Sequence, residues 1–290
     1  MTRVACIGEA MIELSLQGET AKVGVAGDTL NTAIYLKRCA PQLAVDYVTC
    51  LGDDPFSGQI RDFIAAQHIG TDAIRTLPGK SPGLYAITTT EEGERSFTYW
   101  RSAAAARDLF QVPGGCDFSV LDGYDVLYLS GISLAILPQP VRLALIDWLK
   151  QAPQQLVYDS NYRPRLWEDQ QTAQAITHLM WARADIALPS VDDEMALFGE
   201  TEETVTARVQ SYPGTGALKR GETGPLSLGA AVAQSYPPAA KVIDTTAAGD
   251  SFNGGYLAAR LTGQPQADAL MAGHACAARV VQHRGAIIPE

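Results

Sequence analysis

The sequence is poor in charge, with 19 % Asp, Glu, Lys and Arg, and what charge it has leans acidic: 22 basic residues against 32 acidic ones, a formal net charge of −10. A chain of that sign has no electrostatic footprint for a phosphate backbone, which excludes nucleic acid as an expected partner. Cysteine is scarce. Cys6, Cys39, Cys50, Cys116 and Cys276 are odd in number, widely spaced and contain no C-x-x-C pair, so neither a disulfide framework nor a zinc site is expected and a reducing compartment fits. The four histidines (His68, His178, His274, His283) show no metal-ligand spacing. No apolar run approaches the ~20 residues of a membrane span, and Arg3–Gly8 predicts a strand rather than a signal peptide. The expected location is the cytoplasm, with no membrane partner. Two nucleotide signatures are also missing: there is no G-x-x-x-x-G-K-[ST] loop, and no G-x-G-x-x-G follows the first strand.

What is present is alternation. Apolar runs at Val4–Ile7, Tyr47–Cys50, Val126–Leu129, Leu156–Tyr158 and Ile186–Leu188 predict buried strands. Between and after them, helices are predicted over Leu30–Arg38, Gly58–Gln67, Pro140–Gln151, Thr172–Ala182, Asp192–Phe198, Ser251–Leu261 and Gln266–Gln282. This order predicts an α/β protein with a mostly parallel central sheet covered on both faces, its ligands outside the carboxyl ends of the strands. One stretch breaks the pattern. Leu84–Thr90 and Arg95–Arg101 predict a hairpin around Glu91–Glu94, and Ala21–Ala26 offers a further strand to pair with it. With no linker tract and no repeat, residues 1–290 are expected to form one domain, with a small β lid from about 21–27 and 83–101.

The most specific stretch is Lys241–Tyr256, in which Asp244-Thr-Thr is followed by Ala247-Ala248-Gly249, then Asp250 and an amphipathic helical pattern. Three small residues at a helix start leave backbone N–H groups open to an anion, with the helix dipole adding attraction. Asp250 one step inside that pole is a candidate base. Anion cradle and base together are what phosphoryl transfer to a hydroxyl needs. A second constellation, Gly24-Val-Ala-Gly27-Asp28-Thr-Leu-Asn31, precedes an apolar helix. Asp28 or Thr29 as helix N-cap is one reading. The other is that Gly27 admits a polyhydroxylated ligand, whose hydroxyls meet Asp28 and Asn31. In a third, Leu218-Lys219-Arg-Gly221-Glu-Thr-Gly224, a glycine-rich turn follows an apolar residue. A fourth, Asp159-Ser-Asn161-Tyr-Arg163, comes straight after a strand, where an arginine can grip a carboxylate or phosphate. Tyr99-Trp100-Arg101 supplies a second arginine at the end of the lid hairpin; two surface ion pairs are the plainer alternative for both arginines.

These motifs resemble those of the ribokinase-like (PfkB) carbohydrate kinases. Asp244–Phe252 follows that family's D-T-x-G-A-G-D-x-F with Ala247 in place of the first glycine; Ala26–Asn31 follows G-G-x-x-x-N with Ala26 in place of a glycine; and Leu218–Gly224 follows V-K-x-G-x-x-G. The resemblance implies a three-layer sandwich with a β lid, ATP and Mg2+ as cofactors, and Asp250 as base, with Ala247, Ala248 and Gly249 stabilising the transferring group. It implies nucleotide contacts at Asn161, Lys219, Gly221 and Gly224, and a homo-oligomer formed through the lid. Only Glu194 remains of the family's N-x-x-E, since Val191 fills the Asn place; Glu194 is thus the one candidate for organising the metal, through water. Further segments, among them Pro82-Gly-Leu-Tyr85 and His283-Arg-Gly-Ala-Ile-Ile-Pro289, narrow the likeness to members that take a sugar acid. By that likeness Gly27, Asp28, Asn31, Tyr85, Tyr99, Arg101 and Arg163 contact the acceptor. A kinase for a neutral ketose and a catalytically silent sugar-acid sensor are the rivals.

Overall fold

The computed structural model describes residues 1–89 and 95–289. The turn expected at Glu91–Glu94 lies outside the described residues. The main sheet has eight strands in the order Leu226–Leu228, Thr215–Leu218, Ile186–Ala187, Gln155–Asp159, Val126–Ser130, Arg3–Ile7, Ala44–Leu51, Ile74–Thr76. Every pairing is parallel except that of Leu226–Leu228 with Thr215–Leu218. Side chains alternate between the two faces, as the pleat demands. Ala5 and Ile7 join one core with the helices Gln139–Leu149 and Gln170–Arg183. Val4 and Cys6 join a second core with Asp28–Cys39, Pro55–Ala66, Ala248–Leu261 and Gln266–Val280. A sheet buried on both faces explains why its strands read as unbroken apolar runs.

All five strands and all seven helices expected from periodicity occur, with ends moved by a few residues. The short strand Thr215–Leu218, the edge strand Leu226–Leu228 and the helix Glu202–Val209 were not legible beforehand. Val242 and Ile243, near the start of the most specific stretch, form no strand; both are about half exposed, and Val242 lies along the main cleft.

A separate sheet covers one end of the cleft. Its order is Thr20–Ala26, Met11–Gln17, Gly83–Thr89, Arg95–Trp100. Met11–Gln17 is its centre, antiparallel to Thr20–Ala26 and parallel to Gly83–Thr89. The other three strands were expected from the sequence and this one was missed, although Ile12, Leu14 and Leu16 alternate with Glu13, Ser15 and Gln17 as in a half-buried strand. Chain order takes the strand Arg3–Ile7 first to Ala44–Leu51 on one side and later to Val126–Ser130 on the other. That reversal opens a crevice at the strand ends.

Candidate active site

A cleft of about 1780 Å³ runs from beneath the lid to the start of the helix Ala248–Leu261. A single small ligand needs roughly 300–1,000 Å³, so this volume suits two substrates end to end. Met11, Tyr85, Phe97, Tyr99 and Arg101 line it from the lid, and Lys219, Gly221, Ala247, Gly249 and Asp250 from the main body.

Asp250 occupies the first turn of the helix Ala248–Leu261 and accepts a hydrogen bond from Asn31 Nδ2 at 2.8 Å. Burial first, and the neighbouring Asp28 carboxylate second, push its pKa up to about 8; the Asn31 bond opposes them. A carboxylate tuned upward in this way is a stronger base than an exposed one. The turn before it holds a surprise at Ala247, which caps the helix with φ 60° and ψ 19°. Alanine pays steric strain in this left-handed region, where glycine pays none.

Of the three amides expected to form the cradle, one is otherwise engaged. The Ala248 N–H donates to Thr245 O at 3.1 Å, closing the turn that sets up the helix. Gly249 and Asp250 N–H have no partner among the described residues and are the open donors. Gly249 is a glycine for the ligand's sake. Its φ is not positive, and an added Cβ would meet only Lys219 Nζ, at 3.7 Å, in the cleft. Lys219 thus faces the helix start. Its ammonium pairs with Asp159 Oδ2 at 2.9 Å and donates to Asn253 Oδ1 at 3.2 Å. Asn253 Nδ2 bonds both Asp159 (2.6 Å) and Tyr128 OH (3.0 Å), so the lysine stands on a satisfied buried network. The sequence reading gave this lysine's neighbourhood a role through its backbone; the side chain is the more telling part. Its signal was Asp159, an acid at the end of a buried strand.

Gly221 (φ 52°) turns the chain along the cleft wall. Gly224 (φ 83°) does not line the cleft, and a Cβ there would run into the Tyr236 ring, so its glycine serves the turn. Asn161, expected at the nucleotide, lines the cleft and donates from Nδ2 to Asp28 Oδ2 at 2.8 Å, fixing that carboxylate. Asp28 is not an N-cap: Gly27 holds that position, with no side-chain bond. Gly27 itself is extended, and a Cβ there would strike the Glu9 carbonyl oxygen; the close packing of two backbones explains it.

Both expected arginines line the cleft, but neither is free. Arg101 is paired with the buried carboxylate of Glu9, and Arg163 Nη1 with Asp193 Oδ1 at 3.1 Å. Arg163 remains about half exposed toward the cleft, with Arg107 and Asp192 among its other charged walls. Tyr85 donates its hydroxyl to Glu13 and packs its ring tilted against that of Tyr99, centroids 5.5 Å apart. Glu9 and Arg107 were not foreseen, since neither belongs to a recognisable spacing.

Glu194 lies outside the cleft lining. It is fully buried and accepts from Arg208 Nη1 at 3.0 Å, a pairing the sequence did not reveal. Among the described residues no three His, Cys, Asp or Glu side chains gather to cage a metal. Asp159, Asp192 and Asp193 do line the cleft. One or two carboxylates are what Mg2+ takes when it arrives on substrate phosphates, so this donor set fits a nucleotide-borne ion. Among the described residues no helix is long and apolar enough to cross a membrane.

Over residues 1–290 the chain matches the profile of the pfkB family carbohydrate kinases. It is 42 % identical to the 2-dehydro-3-deoxygluconokinase of Escherichia coli K12, across 99 % of this chain and 97 % of that protein. A probable chloroplastic fructokinase of Arabidopsis thaliana is more distant, 28 % identical across 98 % of this chain and 78 % of its own length. Among solved structures, a PfkB protein from Polaromonas sp. JS666 superposes with a TM-score of 0.82 at 25 % identity, covering 97 % of this chain and 96 % of the other. A buried carboxylate at an open helix start, a lysine beside it and a large cleft beneath a separate sheet therefore sit in a chain that belongs to the pfkB family of carbohydrate kinases.

Proposed function

We propose that the protein transfers the γ-phosphoryl group of ATP to the terminal hydroxyl of 2-dehydro-3-deoxy-D-gluconate, giving 2-dehydro-3-deoxy-6-phospho-D-gluconate and ADP. The observation that carries this reading is Asp250, held by Asn31 beside the open amides of Gly249 and Asp250 and facing Lys219 across Gly249. Asp250 takes the hydroxyl proton as the acceptor oxygen bonds to the γ-phosphorus and the bond to the β,γ-bridging oxygen breaks. Charge gathering on the transferring group is met by those amides and by the Lys219 ammonium, placed before the reaction begins. One or two of the Asp159, Asp192 and Asp193 carboxylates would hold an Mg2+ ion arriving with the nucleotide, and the ion would supply further charge neutralisation.

On the acceptor side, Asp28 and Asn31 bind hydroxyls, Tyr85 and Tyr99 pack the sugar carbons, and Arg101 and Arg163 supply donors to the carboxylate. The lid excludes water, so that ATP is not hydrolysed instead. A neutral-ketose kinase is disfavoured by the arginines that line this end of the cleft. A silent sensor has no use for a carboxylate tuned to about 8 at a helix start.

The reading extends to a homo-oligomer formed through the lid, in the cytoplasm. Leu16, Val23 and Trp100 of the lid sheet lie outside the cleft lining and are 40–59 % exposed, the kind of apolar surface a second copy covers. All five cysteines are free, as a reducing compartment requires. The test of the activity is the product. Incubation with ATP, Mg2+ and 2-dehydro-3-deoxy-D-gluconate, followed by phosphorus and carbon NMR, should show phosphate on the C6 oxygen. Phosphate elsewhere, or ADP formed without a sugar phosphate, would overturn it.

A further inference from the structure

Most charged side chains at the acceptor end of the cleft are already committed to one another. Arg101 is closed by Glu9, Arg163 is shared with Asp193, and Asp28 takes the Asn161 amide. An ion pair of this kind offers an incoming carboxylate directional donors but no net charge. Arg107 is different. It lines the same cleft, is half-buried, and its guanidinium has no hydrogen-bond or ion-pair partner among the described residues.

Its backbone, by contrast, is well held. Arg107 lies in the 3-10 turn Ala105–Asp108, where Ala105 N–H reaches Ser81 O at 2.9 Å and Arg107 N–H reaches Ala104 O at 3.0 Å. Gln111 Nε2 donates to the Arg107 carbonyl at 2.9 Å. The adjacent acid, Asp108, is occupied by Lys80 at 2.7 Å and is not a partner for it. Arg107 is close enough to the Arg101 end of the cleft to act electrostatically on the buried Glu9 carboxylate. A fixed backbone carrying an uncommitted guanidinium into a cleft is an anion site awaiting its anion.

We propose that Arg107 is a substrate-binding residue whose unpaired guanidinium is the cation by which the cleft selects a carboxylate-bearing acceptor. Arg101 and Arg163 orient that carboxylate, while Arg107 attracts it. Without Arg107, a substrate carboxylate at this end would meet only the guanidiniums of Arg101 and Arg163, each already paired with a carboxylate. The inference rests on the sugar-acid reading above.

The test uses two acceptors, 2-dehydro-3-deoxy-D-gluconate and its carboxamide, in a coupled ADP-release assay on the wild type, Arg107→Met and Arg107→Lys. Loss of a charge-assisted hydrogen bond corresponds to about a ten- to hundredfold change in affinity. Arg107→Met should therefore raise KM for the acid by about that factor, leaving KM for ATP and the kinetics on the carboxamide near wild type. Arg107→Lys, which retains the charge, should recover most of the loss. If Arg107→Met keeps the full preference for acid over amide, Arg107 is not the selecting charge, although the sugar-acid reading stands. If Arg107→Lys is as impaired on the acid as Arg107→Met, the charge is not what matters and the proposal also fails. If the wild type itself takes both acceptors equally well, the sugar-acid reading falls, and this inference with it.

Discussion

The two ends of the cleft are built from different materials. The acceptor end is made of side chains, most of them paired before any ligand arrives: Glu9 with Arg101, Asp193 with Arg163, Glu13 with Tyr85, Asp28 with Asn161. The phosphoryl end is made of backbone: a left-handed turn at Ala247, the open amides of Gly249 and Asp250, and one ammonium seated on a buried network. Side chains can be exchanged to suit one acceptor or another. An anion cradle made of amides depends only on the helix start and tolerates little else. The contrast explains how one scaffold can keep its chemistry and vary its substrate.

The sharpest way to break the phosphoryl end is Asp250→Asn. The amide keeps the shape but cannot take the proton, and turnover should fall by about 10²–10⁴-fold while both substrates still bind. Calorimetric titration beside steady-state assays checks it; a near-wild-type kcat would remove Asp250 from the role of base. Gly249→Val should come next. The helix tolerates a side chain there, since an added Cβ meets no backbone, so the protein should fold. Its branched carbons would fill the space before Lys219, and kcat/KM for ATP should drop by at least tenfold. Unchanged activity in a folded variant would show that the phosphoryl group lies elsewhere.

The two ends also communicate through charge, which pH exposes. Activity requires Asp250 unprotonated, so kcat/KM should rise with pH through an apparent pKa near 8 in the free enzyme. Asp28 is a like charge that raises that pKa, so Asp28→Asn should shift the rise to lower pH. Lys219 lowers it, so Lys219→Met should shift the rise to higher pH. Identical limbs in wild type and both variants would disprove the coupling.

The smallest effect concerns stability alone. Ala247→Gly relieves the left-handed alanine and should stabilise the fold by about 1 kcal/mol, with activity retained. A lower melting temperature would mean that the methyl group contributes packing that outweighs its strain.

The central sheet was legible because strands buried on both faces must be apolar throughout, as Val126–Leu129 and Leu156–Tyr158 are. The lid strand Met11–Gln17 carries the alternation of a half-buried strand, Ile12, Leu14 and Leu16 against Glu13, Ser15 and Gln17, so it was legible as well and was passed over. At the site, residues fixed by local geometry were readable: Asp250 stands at a helix start whatever surrounds it. Residues fixed by distant partners were not. Nothing near Glu9 announces Arg101, nothing near Glu194 announces Arg208, and Asn161 gives no sign of reaching Asp28 across 133 positions of sequence. Periodicity and spacing report what neighbours along the chain do; ion pairs between elements are settled only when the sheet brings them together.

Whether the acceptor end is read by charge is the claim on which the substrate assignment depends. The most direct measurement is kcat/KM for 2-dehydro-3-deoxy-D-gluconate and for fructose with the unmodified protein in one ADP-release assay. The account predicts that the sugar acid is the better acceptor by at least about tenfold, the least that one charged hydrogen bond is worth. A higher kcat/KM for fructose would contradict it and leave a neutral-ketose kinase in its place.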